Sequence, residues 1–351
     1  MKAALFHEDH TITVEDVPIP VAGAGEALLR VLECGVCGTD LRIQAGEFLA
    51  RGYPVRAGHE IAGRVEAVGE GVAKVRVGDL VGVNPNAGCG ACYWCLRGRP
   101  HLCPDMKAVS LDSPGGFAEY MTAPEAQTLV MPAGATVDAA AMLEPTSCCL
   151  HGIDVAEIMP GDPTVILGGG SIGLILLQLA RHAGSAPMVV VEPREEKRAL
   201  AMELGADAVI DPNGLDEVAL RAKVDELTDG GAQVVIEASG NGRAAAAAMG
   251  LARRGATVLF FGVQDPALEL PLKPFDIYHH EITIRGAFTN PLTDTRARAM
   301  LATGRVKVEK LISHRYALDD ISAALDAVRK GETVKAMIVF EAAGGLLGGL
   351  R

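Results

Sequence analysis

Aromatic residues are scarce in this chain: only 4% of its 351 residues are Phe, Trp or Tyr, with a single Trp. Hydrophobic residues still make up 49%, so the cores have to be assembled from Val, Ile, Leu and Ala. No apolar run reaches the roughly 18 residues a membrane span requires. Even the apolar stretch 165–180 is broken by glycines. The opening residues, MKAALFHEDHTITVEDV, lack the apolar segment of a secretory signal. Positive charge is also in deficit, with 32 Lys and Arg against 44 Asp and Glu and a formal net charge of −12. The acidic excess is spread along the chain, which argues against nucleic acid and anionic membranes as partners. A cytoplasmic location is the expectation. In a reducing compartment the eight cysteines belong to metal or to packing, not to disulfides.

Four of those cysteines, Cys89, Cys92, Cys95 and Cys103, crowd into GCGACYWCLRGRPHLC with C-x2-C-x2-C-x7-C spacing. Four thiolates gathered by tight turns suit a closed, tetrahedral zinc site. A disulfide cluster is the alternative and would need an oxidising environment. Gly88, Gly90 and Gly98 are the expected turn formers. With every coordination position filled, such a zinc is structural.

The length suggests two or three domains. Residues 25–35 and 61–84 are short, β-branched stretches punctuated by glycine, the pattern of a small barrel or distorted sandwich. From 164 onward strands such as TVILGG and PMVVVE alternate with helical segments such as SIGLILLQLARHAG and EEKRALAMELG. That alternation predicts right-handed βαβ units around a parallel sheet. After 286 it loosens into a helix at TRARAMLATG, a second at DDISAALDAVRKG with Asp319 or Asp320 as N-cap, and a last strand, KAMIVFE. The expected division is a β-rich domain over 1–155, a nucleotide-binding domain over 156–287, and a return to the first domain over 288–351.

Within TVILGGGSIGLI, Gly168, Gly170 and Gly173 form G-x-G-x-x-G between a strand and a helix, the context this motif needs to cradle a pyrophosphate. Ser171 and Ile172 complete the candidate loop. About 20 residues on, Glu192 ends a strand and can accept hydrogen bonds from the ribose hydroxyls, which favours NAD over NADP. Arg194 cuts the other way, because a guanidinium can receive a 2′-phosphate; its alternative is a solvated surface charge. A second metal site is suggested by Cys37 in ECGVCGTD, His59 and Glu60 in AGHE, and Glu144 in LEP. One thiolate, one imidazole and one or two carboxylates suit a zinc that keeps a position open for water or substrate. Cys34, Cys148 and Cys149 are read as apolar filling.

The motifs CGVCGTD, GHEIAGRVEAVGEGV, the cysteine lobe, GGFAEY at 115–120, LEPTSCCLHG and LGGGSIG occur together and in order. In them the chain resembles the zinc-dependent medium-chain dehydrogenases, and within these the sorbitol (polyol) and threonine dehydrogenase branch. The resemblance implies an α/β protein with a GroES-like β-rich catalytic domain and a Rossmann doubly wound parallel-sheet domain. It further implies an active-site cleft between the domains, one catalytic and one structural zinc, and assembly as a homodimer or homotetramer. Cys37 and His59 match the family's catalytic zinc ligands, and Glu60 matches the carboxylate that ligates or lies close behind. Glu144 matches the ligating Glu of the polyol branch. Thr39 matches the hydroxyl that touches the reacting oxygen. The reaction implied is hydride transfer between a secondary alcohol, a polyol or sugar alcohol, and NAD. L-threonine 3-dehydrogenase or another secondary-alcohol activity is the nearest alternative, and a non-catalytic nucleotide-binding protein is the alternative of another class.

Two departures from the family pattern stand out. Arg42 occupies the place of a proton-relay His and cannot act as a base near neutrality. It holds phosphate or substrate, or it faces solvent. Thr289-Asn290 replace an Arg-Tyr pair that follows the glycine matching Gly286, and could bond substrate hydroxyls instead. Phe48, Tyr53 and Phe288 are candidates for lining the pocket or for core.

Overall fold

A computed structural model describes residues 1–47 and 52–340; Phe48 and the tail after Phe340 lie outside the described residues. The chain forms two compact units, one of Met1–Ser147 with Asn290–Arg351 and one of Cys148–Thr289.

The first unit is built around the long strand Glu26–Val36. One side of it pairs antiparallel with Glu60–Val68. Its other side is divided, with Tyr120–Pro124 along the first half and Lys335–Val339 along the second. Leu80–Val83, Thr128–Val130 and Ile312–Ala317 complete a seven-stranded sheet. The strand alternates half-buried and buried positions, placing Ala27, Leu29 and Val31 in the core beside Ile61, Phe117 and Met121. Each such large side chain contributes about 1.5–3 kcal/mol on burial. Among the described residues, the aromatic side chains that rank with the largest fully buried ones are Phe6 and Phe117, whose rings stack at 6.2 Å. The return segment adds the helix Ile321–Arg329, which buries Ile321, Ala324 and Leu325 against this core. Asp320 is its N-cap by position, but its side chain makes no capping bond.

The second unit carries a six-stranded, all-parallel sheet in the order Ala208–Ile210, Met188–Val191, Thr164–Leu167, Ala232–Glu237, Ala252–Phe260, Thr283–Gly286. This is the doubly wound order of dinucleotide-binding sheets. Thr164–Leu167 and Met188–Val191 are buried at every position, as continuous Val, Ile and Leu runs covered on both faces should be. The helices Ser171–Ala183 and Glu195–Glu203 follow those strands. No helix among the described residues is long and apolar enough to cross a membrane.

Candidate active site

Among the described residues, two groups of side chains bring metal-ligating atoms within 4.8 Å of one another: Cys89, Cys92, Cys95 and Cys103, and separately Cys37, His59 and Glu60. In the first group, four sulfurs around zinc at about 2.3 Å would sit about 3.8 Å apart, so the cluster is the right size. All eight cysteines are free thiols. The amides of Ala91 and Cys92 pull the Cys89 thiol down to about 7, toward the ligating thiolate form. Gly90 and Gly98 take left-handed backbone, whereas Gly88 serves by close approach: a Cβ there would lie 2.7 Å from Cys95 Sγ.

In the second group, Cys37 caps the helix Gly38–Gln44 just after the long strand ends. His59 precedes the neighbouring strand, and Glu60 opens it. Antiparallel pairing of Gly35 with Glu60 is what joins them. The key support is Asp40, fully buried in the same short helix. Its Oδ2 accepts from Cys37 N at 2.8 Å, its Oδ1 accepts from Gly58 N at 3.2 Å, and Oδ1 lies 3.5 Å from His59 Nδ1. With Nδ1 facing a carboxylate, Nε2 of His59 is left for a cation. Burial works against a charge on His59, but Asp40 outweighs it and its affinity for a proton rises well above the ordinary histidine range. Glu60 is 1% exposed and forms an ion pair with Lys335, itself buried. Burial also opposes the Lys335 charge, and Glu60 outweighs that too.

Glu144 is buried in the first turn of the helix Leu143–Ala156, but it is not one of the group gathered within 4.8 Å. Thr39 is half-buried in the helix that Cys37 caps. Arg42 pairs with Glu47 at 3.0 Å. Cys34 is fully buried, and burial pushes its thiol well up, as inert filling requires. Cys149 is buried, while Cys148 is half-buried.

Asn290 departs from the expectation of a substrate-bonding residue. It is 2% exposed and spends its side chain on Asn86, Asn84 and Asp294 at 2.8, 3.1 and 2.9 Å. Thr289 has φ of 53° and a buried hydroxyl with no partner. Tyr53 packs on the core and donates to Ile43 O at 3.3 Å, and Phe288 is 53% exposed.

In the second unit, Gly168 has φ of 111°, and a Cβ on Gly173 would lie 1.9 Å from Gly168 O. The loop therefore closes only with glycine at both places. Gly170 is the N-cap of Ser171–Ala183. The first amides of that helix have no intrahelical partner and point, with its dipole, toward where a pyrophosphate would lie. Glu192 is buried and ties the loop together: Oε2 accepts from Gly169 N at 2.7 Å, and Oε1 accepts from Arg194 N at 2.9 Å. Each oxygen keeps a second lone pair for a ribose hydroxyl. The Arg194 guanidinium is 41% exposed and stands 4.0 Å from Glu196. Glu237, which sequence reasoning passed over, does similar work nearby, accepting from Ser239 N at 2.8 Å and Gly240 N at 3.1 Å.

Residues 23–133 match the family described as alcohol dehydrogenase GroES-like domain, and residues 171–303 match zinc-binding dehydrogenase. D-arabinitol dehydrogenase 1 of Uromyces fabae is 32% identical over 95% of this chain and 96% of its own length. L-threonine 3-dehydrogenase of Pyrococcus furiosus is 31% identical over 93% of this chain and 94% of its own. A solved structure from Sinorhizobium meliloti 1021, described as a zinc-binding dehydrogenase bound to NADP, superposes with a TM-score of 0.91 at 35% identity, covering 97% of this chain and 99% of that one.

Proposed function

The chain belongs to the zinc-dependent medium-chain dehydrogenases, and from that premise we propose that it oxidises a secondary alcohol of the polyol or sugar-alcohol class at the Cys37–His59–Glu60 group, with NAD preferred over NADP. It is an NAD(P)-dependent zinc oxidoreductase of a small alcohol. The observation that carries the site reading is the meeting of one thiolate, one imidazole and one carboxylate within 4.8 Å, a mixed donor set that suits zinc with a position left open.

Cys37 and His59 hold the catalytic zinc, with Glu60 and Glu144 as the carboxylates at hand. A zinc held there would supply the Lewis acidity that lowers the pKa of the alcohol, and a nicotinamide bound by the glycine loop would supply the hydride acceptor. Asp40 fixes the orientation of His59 and the backbone of Cys37. The Thr39 hydroxyl accepts the alcohol proton and passes it toward solvent. Arg42 has no part in that relay, since it stays charged and is paired with Glu47. Gly168, Gly170, Ser171, Ile172 and Gly173 bind the pyrophosphate, and Glu192 bonds the ribose. Arg194 offers a cation for a 2′-phosphate, a lesser use that leaves NADP as the weaker cofactor. Cys89, Cys92, Cys95 and Cys103 hold the structural zinc. A cytoplasmic homodimer or homotetramer completes the reading.

The test is metal analysis coupled to turnover. One zinc is expected for each of the two ligand groups, one of them lost to a chelator together with NADH formation from a panel of polyols. Threonine turned over in preference to polyols would move the substrate to the amino-alcohol class. A chain that holds only the lobe zinc and reduces NAD with no alcohol would be a binding protein.

A further inference from the structure

Arg56 lies three residues before His59, next to Val55 of the core. Its backbone is held from two sides. Val55 exchanges two hydrogen bonds with Phe6, each of 2.8 Å, and the Arg56 carbonyl accepts from Gly115 N at 2.7 Å. Gly115 makes that approach possible, since a Cβ there would lie 2.4 Å from Ala57 O and from Gly58 O. The Arg56 side chain is half-buried, and its Nε is fully buried with no acceptor. Burial pulls the guanidinium below the ordinary arginine range, and no neighbouring charge offsets that pull. The group stays charged nonetheless. The other half-buried arginines of this unit have acceptors: Arg30 at Glu66, Arg42 at Glu47, Arg64 at Gly78 O, Arg298 at Val130 O and Arg315 at Glu33 and Asp138. Among the described residues of the unit, Arg56 is the exception.

We propose that Arg56 receives an oxyanion carried by the substrate, a phosphate or carboxylate set apart from the hydroxyl that is oxidised. The inference rests on the reading of Cys37, His59 and Glu60 as the alcohol-oxidising site, and it narrows the alcohol to an acidic one. Three residues of chain span at most about 11 Å, so Arg56 and His59 are within reach of the two ends of one polyol-sized molecule. A guanidinium presents paired N–H donors in a planar fork that matches phosphate and carboxylate. The orphaned Nε is one of those donors, and a ligand oxyanion supplies the acceptor that the fold does not. The same charge discriminates between substrates. An acidic alcohol pairs the guanidinium, whereas a neutral polyol displaces water from it and leaves it unpaired.

The test has a binding arm and a kinetic arm. In the first, phenylglyoxal labelling of the zinc-loaded wild type is followed by peptide mass spectrometry, with inorganic phosphate and acetate as probes. One of them is expected to slow labelling of Arg56 while leaving the exposed Arg254 unprotected. Protection by phosphate points to a phosphorylated alcohol and protection by acetate to a sugar acid. In the second arm, NADH formation is measured with a polyol, its terminal phosphate ester and the sugar acid of the same length. The anionic substrate that matches the protecting probe should have a KM roughly tenfold below that of the neutral polyol, the scale of one charge-assisted contact. Arg56→Met should erase that advantage through KM, with kcat for the anionic substrate little changed, and Arg56→Lys should restore part of it. Protection by neither probe, equal KM for neutral and anionic substrates, or an advantage that survives in Arg56→Met overturns the proposal. Should Arg56→Met not fold, the two wild-type measurements decide. Protection of Arg56 without turnover of any alcohol supports the oxyanion site and sinks the alcohol-oxidation reading, so the two failures are separable.

Discussion

The cysteine lobe collects its ligands from residues 89–103, whereas the second group draws Cys37 from the end of one strand, His59 and Glu60 from the start of its neighbour, and Lys335 from the last strand of the chain. The lobe is held by its own turns, and two of its four cysteines are half-buried and one exposed. In the second group His59 and Glu60 are buried and Cys37 is half-buried, and Asp40 and Lys335, which support them, are not members of the gathered set. A local, closed group can only stabilise what surrounds it. A non-local group with unequal donors and an outer layer of charges can hold a cation while leaving it reactive.

Removing one ligand from each group should have opposite consequences. Cys37→Ser should abolish NADH formation, well beyond the roughly 10–100-fold that loss of an outer-shell partner costs, while metal analysis still finds the lobe zinc. Normal turnover in that variant would end the catalytic assignment. Cys103→Ser should do the reverse in kind, lowering Tm by at least about 5 °C in a calorimetric scan because a structural zinc contributes directly to folding. Next comes Gly173→Ala, whose new Cβ would meet Gly168 O at 1.9 Å. Overpacking of this sort costs about 1–3 kcal/mol, so the Kd for NADH in a fluorescence titration should rise roughly tenfold.

The smallest effect concerns neither group. Burial and the neighbouring Asp138 push the Glu33 carboxyl from 4.5 up to about 8, against the pull of Arg315. Its folded form therefore keeps a proton that the unfolded chain gives up. That contribution to stability is complete below pH 4.5 and is lost as pH rises through about 8. Glu33→Gln stays neutral throughout. Between those limits the wild-type Tm should decline with pH relative to the variant, by on the order of a few degrees. Parallel Tm–pH curves for the two proteins would show that Glu33 is ionised in the fold.

What could be read from the residues follows the same local and non-local divide. The lobe, the glycine loop and most strands and helices announce themselves within a few residues, because turns and side-chain periodicity act at short range. Asp40 did not, since a carboxylate three residues past a helix cap looks like ordinary capping until Gly58 and His59 are folded against it. Lys335 could not be linked to Glu60, because that pairing depends on the last strand docking beside Glu26–Val36. Asn290 carried the opposite signal. Its amide suits a hydroxyl ligand on paper, but the fold satisfies it with Asn84, Asn86 and Asp294.

The late arrival of Lys335 has a consequence for biosynthesis. While a ribosome is still making the chain, Glu60 lacks its counter-charge, and the half-strand at residues 33–36 lacks the partner it has in the finished fold. The pocket can be completed only after residue 335 has left the exit tunnel. Completion of the Cys37–His59–Glu60 group thereby waits for residue 335, whereas the lobe, whose ligands emerge together, can gather its four thiols much earlier in synthesis.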